Sequence, residues 1–378
     1  MELLNYILLF GLALTTVTWL SPAKWQQWII LAGTVLFLAL KAPVSLVILS
    51  LTTLSSYWIF KAPISLTAAT LLVIFQNIII FVVYKMGAGH ALVSPADRFI
   101  PLGLSYYSFR QIHYAIEQYK GKIGPHQFGD YAAYLFFLPT ILIGPINRFS
   151  PFLRNIYRRR WDATLFSEGL ERILYGYAKI VIIGNFLLTN KLSGIVATLE
   201  ENHLWLSNYL RVLNYTLNTY FQFAGYSDVA IGMALLLGFR VMENFNYPFL
   251  APNINEFWNR WHISLSSWCR DYVYTPMASI TRKPIVGILM TMLVIALWHE
   301  ISGRYIIWGV YHGLGIAVWH LYHRSSWRDK LKDKLPGYKY LAILLTFHFV
   351  LFSFVIVKEE SWGAMWETYR ILFGEFSS

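Results

Sequence analysis

Three histidines stand in unusually apolar surroundings. His299 closes the run LVIALWHEISGRY and is followed at once by Glu300 and then Arg304. His312 lies further along in YIIWGVYHGLGIAVWHLYH. His262 lies in FWNRWHISLSSWCRDYVY, among three tryptophans, two arginines, an aspartate and the chain's single cysteine, Cys269. An imidazole titrates near pH ~6.5, so it can hold a hydrogen bond, relay a proton or serve as a general base near neutrality. Ionisable side chains are costly at membrane depth, which makes those found there candidates for function.

The remaining histidines read differently. His90, His126, His203, His320, His323 and His348 suit loop, interface or packing roles, and His113 stays open between packing and function. His320 and His323 are spaced like metal ligands, yet they run into a basic loop that marks a membrane boundary. One cysteine excludes a disulfide framework and a cysteine-rich metal site. The histidines lack the close spacing to a carboxylate or thiolate that a zinc centre needs. Serine-hydrolase chemistry has no G-x-S-x-G elbow, because GYSDV lacks the closing glycine.

Positioning these groups requires particular elements. Read as one helix, Asn255–Asp271 puts Trp258, Trp261, Leu265 and Trp268 on an outward apolar stripe. Asn255, Asn259, His262, Ser266 and Arg270 share another face, so His262 points inward. The segment is too polar to cross lipid alone and is expected to be re-entrant or interfacial. Upstream, Tyr106, Arg110, His113 and Glu117 share a helical stripe. LFFLPTILIGPINRF follows with Pro139, Gly144 and Pro145, and broken helices persist at membrane depth only where protein or a cavity satisfies the freed backbone. With TLNTYFQFAGYSDVAIGMALLLGF, which carries Gln222, Ser227 and Asp228, this section is expected to wall a polar cavity.

The 378 residues are 56% hydrophobic and 13% charged, where a soluble protein is about a quarter charged. The chain therefore belongs in a bilayer. Runs starting at Leu4, Ser65, Ile285 and Tyr340 approach the ~20 residues that cross a ~30 Å hydrocarbon core. The expected fold is an all-α polytopic membrane protein, with about ten to twelve transmembrane helices and re-entrant segments around a central tunnel. The first run lacks a basic n-region and a cleavage site and reads as a retained helix. The net charge of +11 fits membrane orientation and anionic lipid rather than nucleic acid. Its basic residues gather in short loops at Arg154 and Arg158 to Arg160, at Arg282 and Lys283, and from His323 to Lys339. The organisation is a single integral-membrane domain, 1–378. Structural helices occupy 1–95, a functional core 100–325, and a basic loop with C-terminal helices 326–378.

At these motifs the sequence resembles the membrane-bound O-acyltransferase (MBOAT) family, in the bacterial branch that acylates cell-surface polymers. That branch includes alginate O-acetylation, PatB-like peptidoglycan O-acetylation and DltB-like teichoic acid D-alanylation members. Five blocks carry the resemblance in family order between about Gly103 and Gly315: LGLSYYSFRQIHYAIEQYKGKI, FFLPTILIGPINRF, YFQFAGYSDVAIGMALLLGF, NFNYPFLAPNINEFWNRWHISLSSWCRDYVYTP and ALWHEISGRYIIWGVYHG. The resemblance makes His299, in Trp298-His299-Glu300, the family's catalytic histidine, and maps the second family histidine to His262 and the YHG histidine to His312. Glu300 replaces a glycine that many relatives carry. Thr275-Pro276-Met277-Ala278-Ser279 replaces the Ile-Pro-Leu-Gly-Gly common in alginate-type members.

The resemblance implies transfer of an acyl group, acetyl ahead of D-alanyl, from a cytoplasmic thioester to hydroxyls of an extracytoplasmic polysaccharide or glycopolymer. His299 would be the general base, helped by His262 with Asn259 or Ser266. His312, Asp228, Arg260, Arg270 and Asp271 are supporting candidates, with a purely fastening ion pair as the alternative for the charged ones. No bound cofactor or metal is expected. Acetyl-CoA or an acyl carrier protein is the co-substrate, and the partners are membrane lipids, that donor, an extracytoplasmic partner protein or second transferase, and the polymer. The expected location is the bacterial inner membrane. A proton-coupled transporter is the rival from another class, and a recruiting membrane partner is a second. Against the transporter, no matched pair of interrupted helices appears in two halves of the chain.

Overall fold

A computed structural model describes residues 2–85, 101–141, 144–325 and 335–374. His90 and the basic residues within 326–334 lie outside the described residues. The described chain is helical, with one isolated antiparallel bridge between Phe245 and Trp261. It forms two compact units: Met1–Tyr175 with Tyr226–Met242, and Gly176–Gly225 with Glu243–Ser378.

The first unit opens with α1 (Glu2–Leu20), α2 (Ala23–Lys41), α3 (Pro43–Ile59) and α4 (Leu66–Lys85). Their polarity is inverted relative to a soluble bundle. Leu9, Leu36, Leu51, Leu71 and Phe75 are exposed, while Thr18, Thr34, Thr53, Ser56 and Asn77 are buried. Three of the buried hydroxyls donate to carbonyls one turn back, Thr34 to Ile30, Thr53 to Leu49 and Ser56 to Thr52, which pairs them within their own helices. Ala23–Lys41, Leu66–Val83, Ala163–Leu199 and Tyr338–Lys358 are long and apolar enough to cross a membrane, and Leu4–Leu20, Pro43–Ile59 and Pro284–His299 are shorter apolar helices.

Next come α5 (Pro101–Tyr119), α6 (Phe128–Leu135), α7 (Leu138–Ile141), α8 (Phe149–Arg158) and most of α9 (Ala163–Ala178). The expected stripe on α5 exists, but its work is structural. Fully buried Arg110 donates to the carbonyls of Tyr134, at 3.3 Å, and of Thr140, which flank the break around Pro139. His113 Nε2 accepts from the Phe149 amide at 3.0 Å. The broken helix therefore has its freed backbone groups satisfied by side chains of α5. Of the Arg158 to Arg160 cluster, Arg159 turns inward to the Leu237 carbonyl and the face of Trp19, while Arg158 and Arg160 are exposed.

α9 continues through wide, π-type turns (Lys179–Leu192) into α10 (Ser193–Leu199), and α11 runs from Leu204 to Leu236. The chain passes between the units within α9 and α11. In the first unit these two helices meet at glycines: a Cβ on Gly232 would lie 2.6 Å from the Gly169 carbonyl oxygen, so only glycine fits.

The second unit adds α12 (Ile254–Arg260), α13 (Ile263–Cys269), a wide turn (Arg270–Tyr274), α14 (Thr275–Thr281), α15 (Pro284–His299) and α16 (Gly303–His323). It closes with α17 (Tyr338–Lys358) and α18 (Trp362–Phe373).

Candidate active site

The single helix expected over Asn255–Asp271 is two helices with a break between them. Asn253 caps α12 by accepting from the Glu256 amide at 2.8 Å. α12 ends at Arg260, Trp261 is extended, and His262 takes a left-handed backbone, φ 45° and ψ 53°, from which α13 starts. A β-carbon makes that conformation unfavourable by about 1 kcal/mol or more. It is held by the strand-like stretch at Asn244–Asn246. The Ile263 amide donates to the Asn244 carbonyl (2.9 Å), the Asn246 amide to the Arg260 carbonyl (3.0 Å), and the Ser264 hydroxyl to Asn244 Oδ1 (2.6 Å). No glycine or proline marks the break, so residue spacing alone hides it.

The break redirects the tryptophan stripe and takes His262 out of the polar one. Trp258, Trp261 and Trp268 are buried rather than outward. Trp261 packs on Phe245, Phe249 and Phe257, whereas Trp258 meets Trp308 and His312. The polar stripe does line a cavity of about 320 Å³, through Asn255, Asn259, Ser266 and Arg270, with Ile288 and Met292 of α15 opposite. His262 is not part of that wall. It is buried, with its ring edge-on to Phe223 at 4.7 Å and 5.7 Å from Trp298.

The three singled-out histidines do come together in this unit, joined by two tryptophans. Trp298 lies 5.7 Å from His262 and 4.6 Å from His299, and Trp308 lies 5.7 Å from His299 and 4.7 Å from His312. His262 and His299 are within electrostatic reach of each other. His299 is the last residue of α15, only partly buried, with Tyr305 stacked on it at 5.8 Å. The carbonyls of that last turn carry partial negative charge and complement a cationic imidazolium. His312 Nε2 contacts Ser353 Oγ at 2.9 Å, and since that hydroxyl donates to the Val350 carbonyl, the imidazole is the donor and α16 is tied to α17.

Several supporting candidates lie elsewhere. Asp228 falls in the first unit, where Arg172 Nε binds its Oδ1 at 2.8 Å. Arg260 pairs with Glu256, Arg270 with Asp271, and Arg304 with Glu300. Asn259 is exposed and near Glu256, and the Ser266 hydroxyl donates to the Trp261 carbonyl across the break. Among the described residues no three His, Cys, Asp or Glu side chains converge as a metal site. Sequence spacing did not single out Asn244, Tyr305 or Trp308: Tyr305 and Trp308 lie on α16, past the break that follows His299, and Asn244 offers no periodic signal, whereas Trp298 is the direct chain neighbour of His299.

A family model for membrane-bound O-acyltransferases matches residues 46–356. The chain is 35% identical over 284 residues to the probable alginate O-acetylase AlgI of Pseudomonas aeruginosa, covering 72% of this chain and 52% of that protein. It is 33% identical over 273 residues to the teichoic acid D-alanyltransferase of Bacillus subtilis, covering 68% of this chain and 67% of that protein. It is 29% identical over 301 residues to the peptidoglycan O-acetyltransferase of Helicobacter pylori, covering 69% and 54%. The chain spans about half the length of the alginate and peptidoglycan relatives it matches.

Proposed function

The chain belongs to the membrane-bound O-acyltransferase family, and from that premise we propose that it moves an acyl group from a cytoplasmic thioester to a hydroxyl of an extracytoplasmic glycopolymer. The observation that carries the reading is the grouping of His262, His299 and His312 around Trp298 and Trp308, with His299 alone of the three only partly buried.

In this reading His299 takes the proton of the acceptor hydroxyl as its oxygen attacks the thioester carbonyl. The tetrahedral intermediate collapses, the ester forms, and the C–S bond breaks. The thiolate leaves with the proton returned by the imidazolium. The α15 carbonyls favour that imidazolium, and the surrounding rings keep water from competing for the acyl group. His262 orients the acceptor or polarises the carbonyl, where a donor facing the oxyanion gains from the water-poor setting.

The donor is acetyl-CoA or an acyl carrier protein, and the polymer is a polysaccharide of the bacterial envelope. Acetyl is the preferred acyl group. D-alanyl is the second reading, favoured by the D-alanyltransferase relative, of which 67% is covered against 52% of the alginate one. The protein would act in the cytoplasmic membrane as a multi-pass protein with re-entrant segments around a tunnel, together with an extracytoplasmic partner protein or second transferase.

Replacing His299 with Ala and measuring ester-linked acyl groups on the envelope tests the proposal. General-base help is worth ~10²–10⁴-fold, so ester content should fall to background at normal protein level. Unchanged content overturns the reading, and the released acid, acetate or D-alanine, separates the two acyl groups.

A further inference from the structure

Asn244 does for His262 what no residue of its own helices does. His262 lies between two seven-residue helices, so neither is long enough to fix the ring's direction by itself. Its left-handed backbone runs against the preference of any residue with a β-carbon. Fully buried Asn244 closes on the following turn with both ends. Its main-chain carbonyl accepts from the Ile263 amide, and its side-chain Oδ1 accepts from the Ser264 hydroxyl at 2.6 Å and faces the Ser264 amide at 3.4 Å. On the other side of His262, the Phe245–Trp261 bridge and the Asn246-to-Arg260 hydrogen bond hold the preceding residues. His262 is therefore bracketed on both sides by one three-residue stretch, Asn244–Asn246, and its imidazole is aimed between Phe223 and Trp298.

We propose that Asn244 is a positioning residue for His262: its side chain clamps the start of α13, holds the left-handed backbone, and so fixes the imidazole beside Trp298 and His299. This rests on the acyl-transfer reading above. Asparagine suits the task because its side-chain oxygen accepts two donors at once, and burial makes an unmade bond there expensive. A shift of about 1 Å in a group that orients reactants lowers rates by up to ~10²-fold, so loss of the clamp should reduce catalysis without unfolding the protein.

The test compares wild type with Asn244→Ala, Asn244→Asp, His262→Ala and His262→Gly in the full chain. Three quantities are read: initial rate of envelope ester formation per copy of protein, melting temperature of the purified protein, and amide exchange of a peptide covering Trp261–Leu265. Asn244→Ala should speed exchange in that peptide and lower the rate about ten- to hundredfold, with a smaller relative loss of melting temperature. Asn244→Asp keeps the acceptor oxygen and should restore slow exchange and most of the rate. His262→Gly adopts positive φ freely and should melt no lower than His262→Ala while losing activity.

The proposal is overturned if Asn244→Ala retains the full rate, or if the Ala and Asp variants lose rate together in step with melting temperature. A lower melting point for His262→Gly than for His262→Ala overturns the imposed backbone. If wild type adds no ester beyond a strain lacking the protein, the acyl-transfer reading fails and the catalytic role with it. The exchange result then still reports the clamp, so the two failures are distinguishable.

Discussion

α5 and the α15–α16 pair look alike as sequence, each setting a histidine and an arginine among aromatics, yet the molecule uses them differently. On α5, Arg110 and His113 spend their polar atoms on backbone: two carbonyls around the Pro139 break and the Phe149 amide. Around α15 and α16, His299 is set among the rings of Trp298, Tyr305 and Trp308 and stays partly open. A buried polar side chain whose hydrogen bonds go to freed main chain repairs the fold. One presented from a helix end, among rings and beside a second imidazole, is placed for chemistry. Burial and ring surroundings therefore separate two segments that residue type and spacing leave equivalent.

The contrast is broken most sharply by substitution on each side. His299→Ala should cost activity by the ~10²–10⁴-fold of general-base help and leave melting temperature near wild type. A fall in protein level matching the fall in ester content would move His299 to the structural side. Arg110→Met should do the reverse. It orphans the Tyr134 and Thr140 carbonyls in a dry interior, and each buried acceptor left unsatisfied costs about 1–3 kcal/mol. Thermal denaturation in detergent reads that loss. A stable Arg110→Met protein with no activity would instead bring α5 into the chemistry.

Asp228 sharpens the same comparison at a smaller scale. Its partner Arg172 is about a third exposed while Asp228 itself is buried. Asp228→Asn keeps an acceptor oxygen but removes the charge, so stability should drop by about 1–2 kcal/mol. Activity per folded molecule should be retained. A variant with unchanged melting temperature and lost activity contradicts the fastening role.

Much of this was legible in the residues, for reasons that also explain what was not. The apolar runs at Ser65 and Tyr340 report spans directly, because length and hydropathy decide whether a helix fits a bilayer. The Pro139 break was legible too, since proline removes a donor wherever it stands. His299 and His312 could be singled out as costly groups in apolar helices. The turn at His262 could not, because its cause is the remote Asn244–Asn246 stretch and no local residue prefers that conformation. For the same reason the tryptophans were assigned an outward face. A periodic pattern assumes one continuous axis, and a single left-handed residue resets it. That Asp228 belongs to the first unit was equally hidden, since helix α11 is continuous in sequence but contributes to both units.

The smallest expected effect concerns Arg270, which the polar stripe shares with Ser266 on the cavity wall. Its partner is the adjacent Asp271, at 3.2 Å, and both side chains are largely exposed. Such a pair is screened by water and orders two flexible side chains for little gain, so it is worth about 0–1 kcal/mol. Arg270→Gln should therefore leave the melting temperature within error of wild type, and raising salt should not change that difference. Because stability is insensitive here, activity becomes the informative quantity. A several-fold fall in envelope ester with an unchanged melting temperature would tie the cavity between α13 and α15 to the passage of donor or acceptor. A loss of stability beyond about 1 kcal/mol would show that Arg270 fastens the wide turn at Arg270–Tyr274 and belongs with Arg110 instead of with His299.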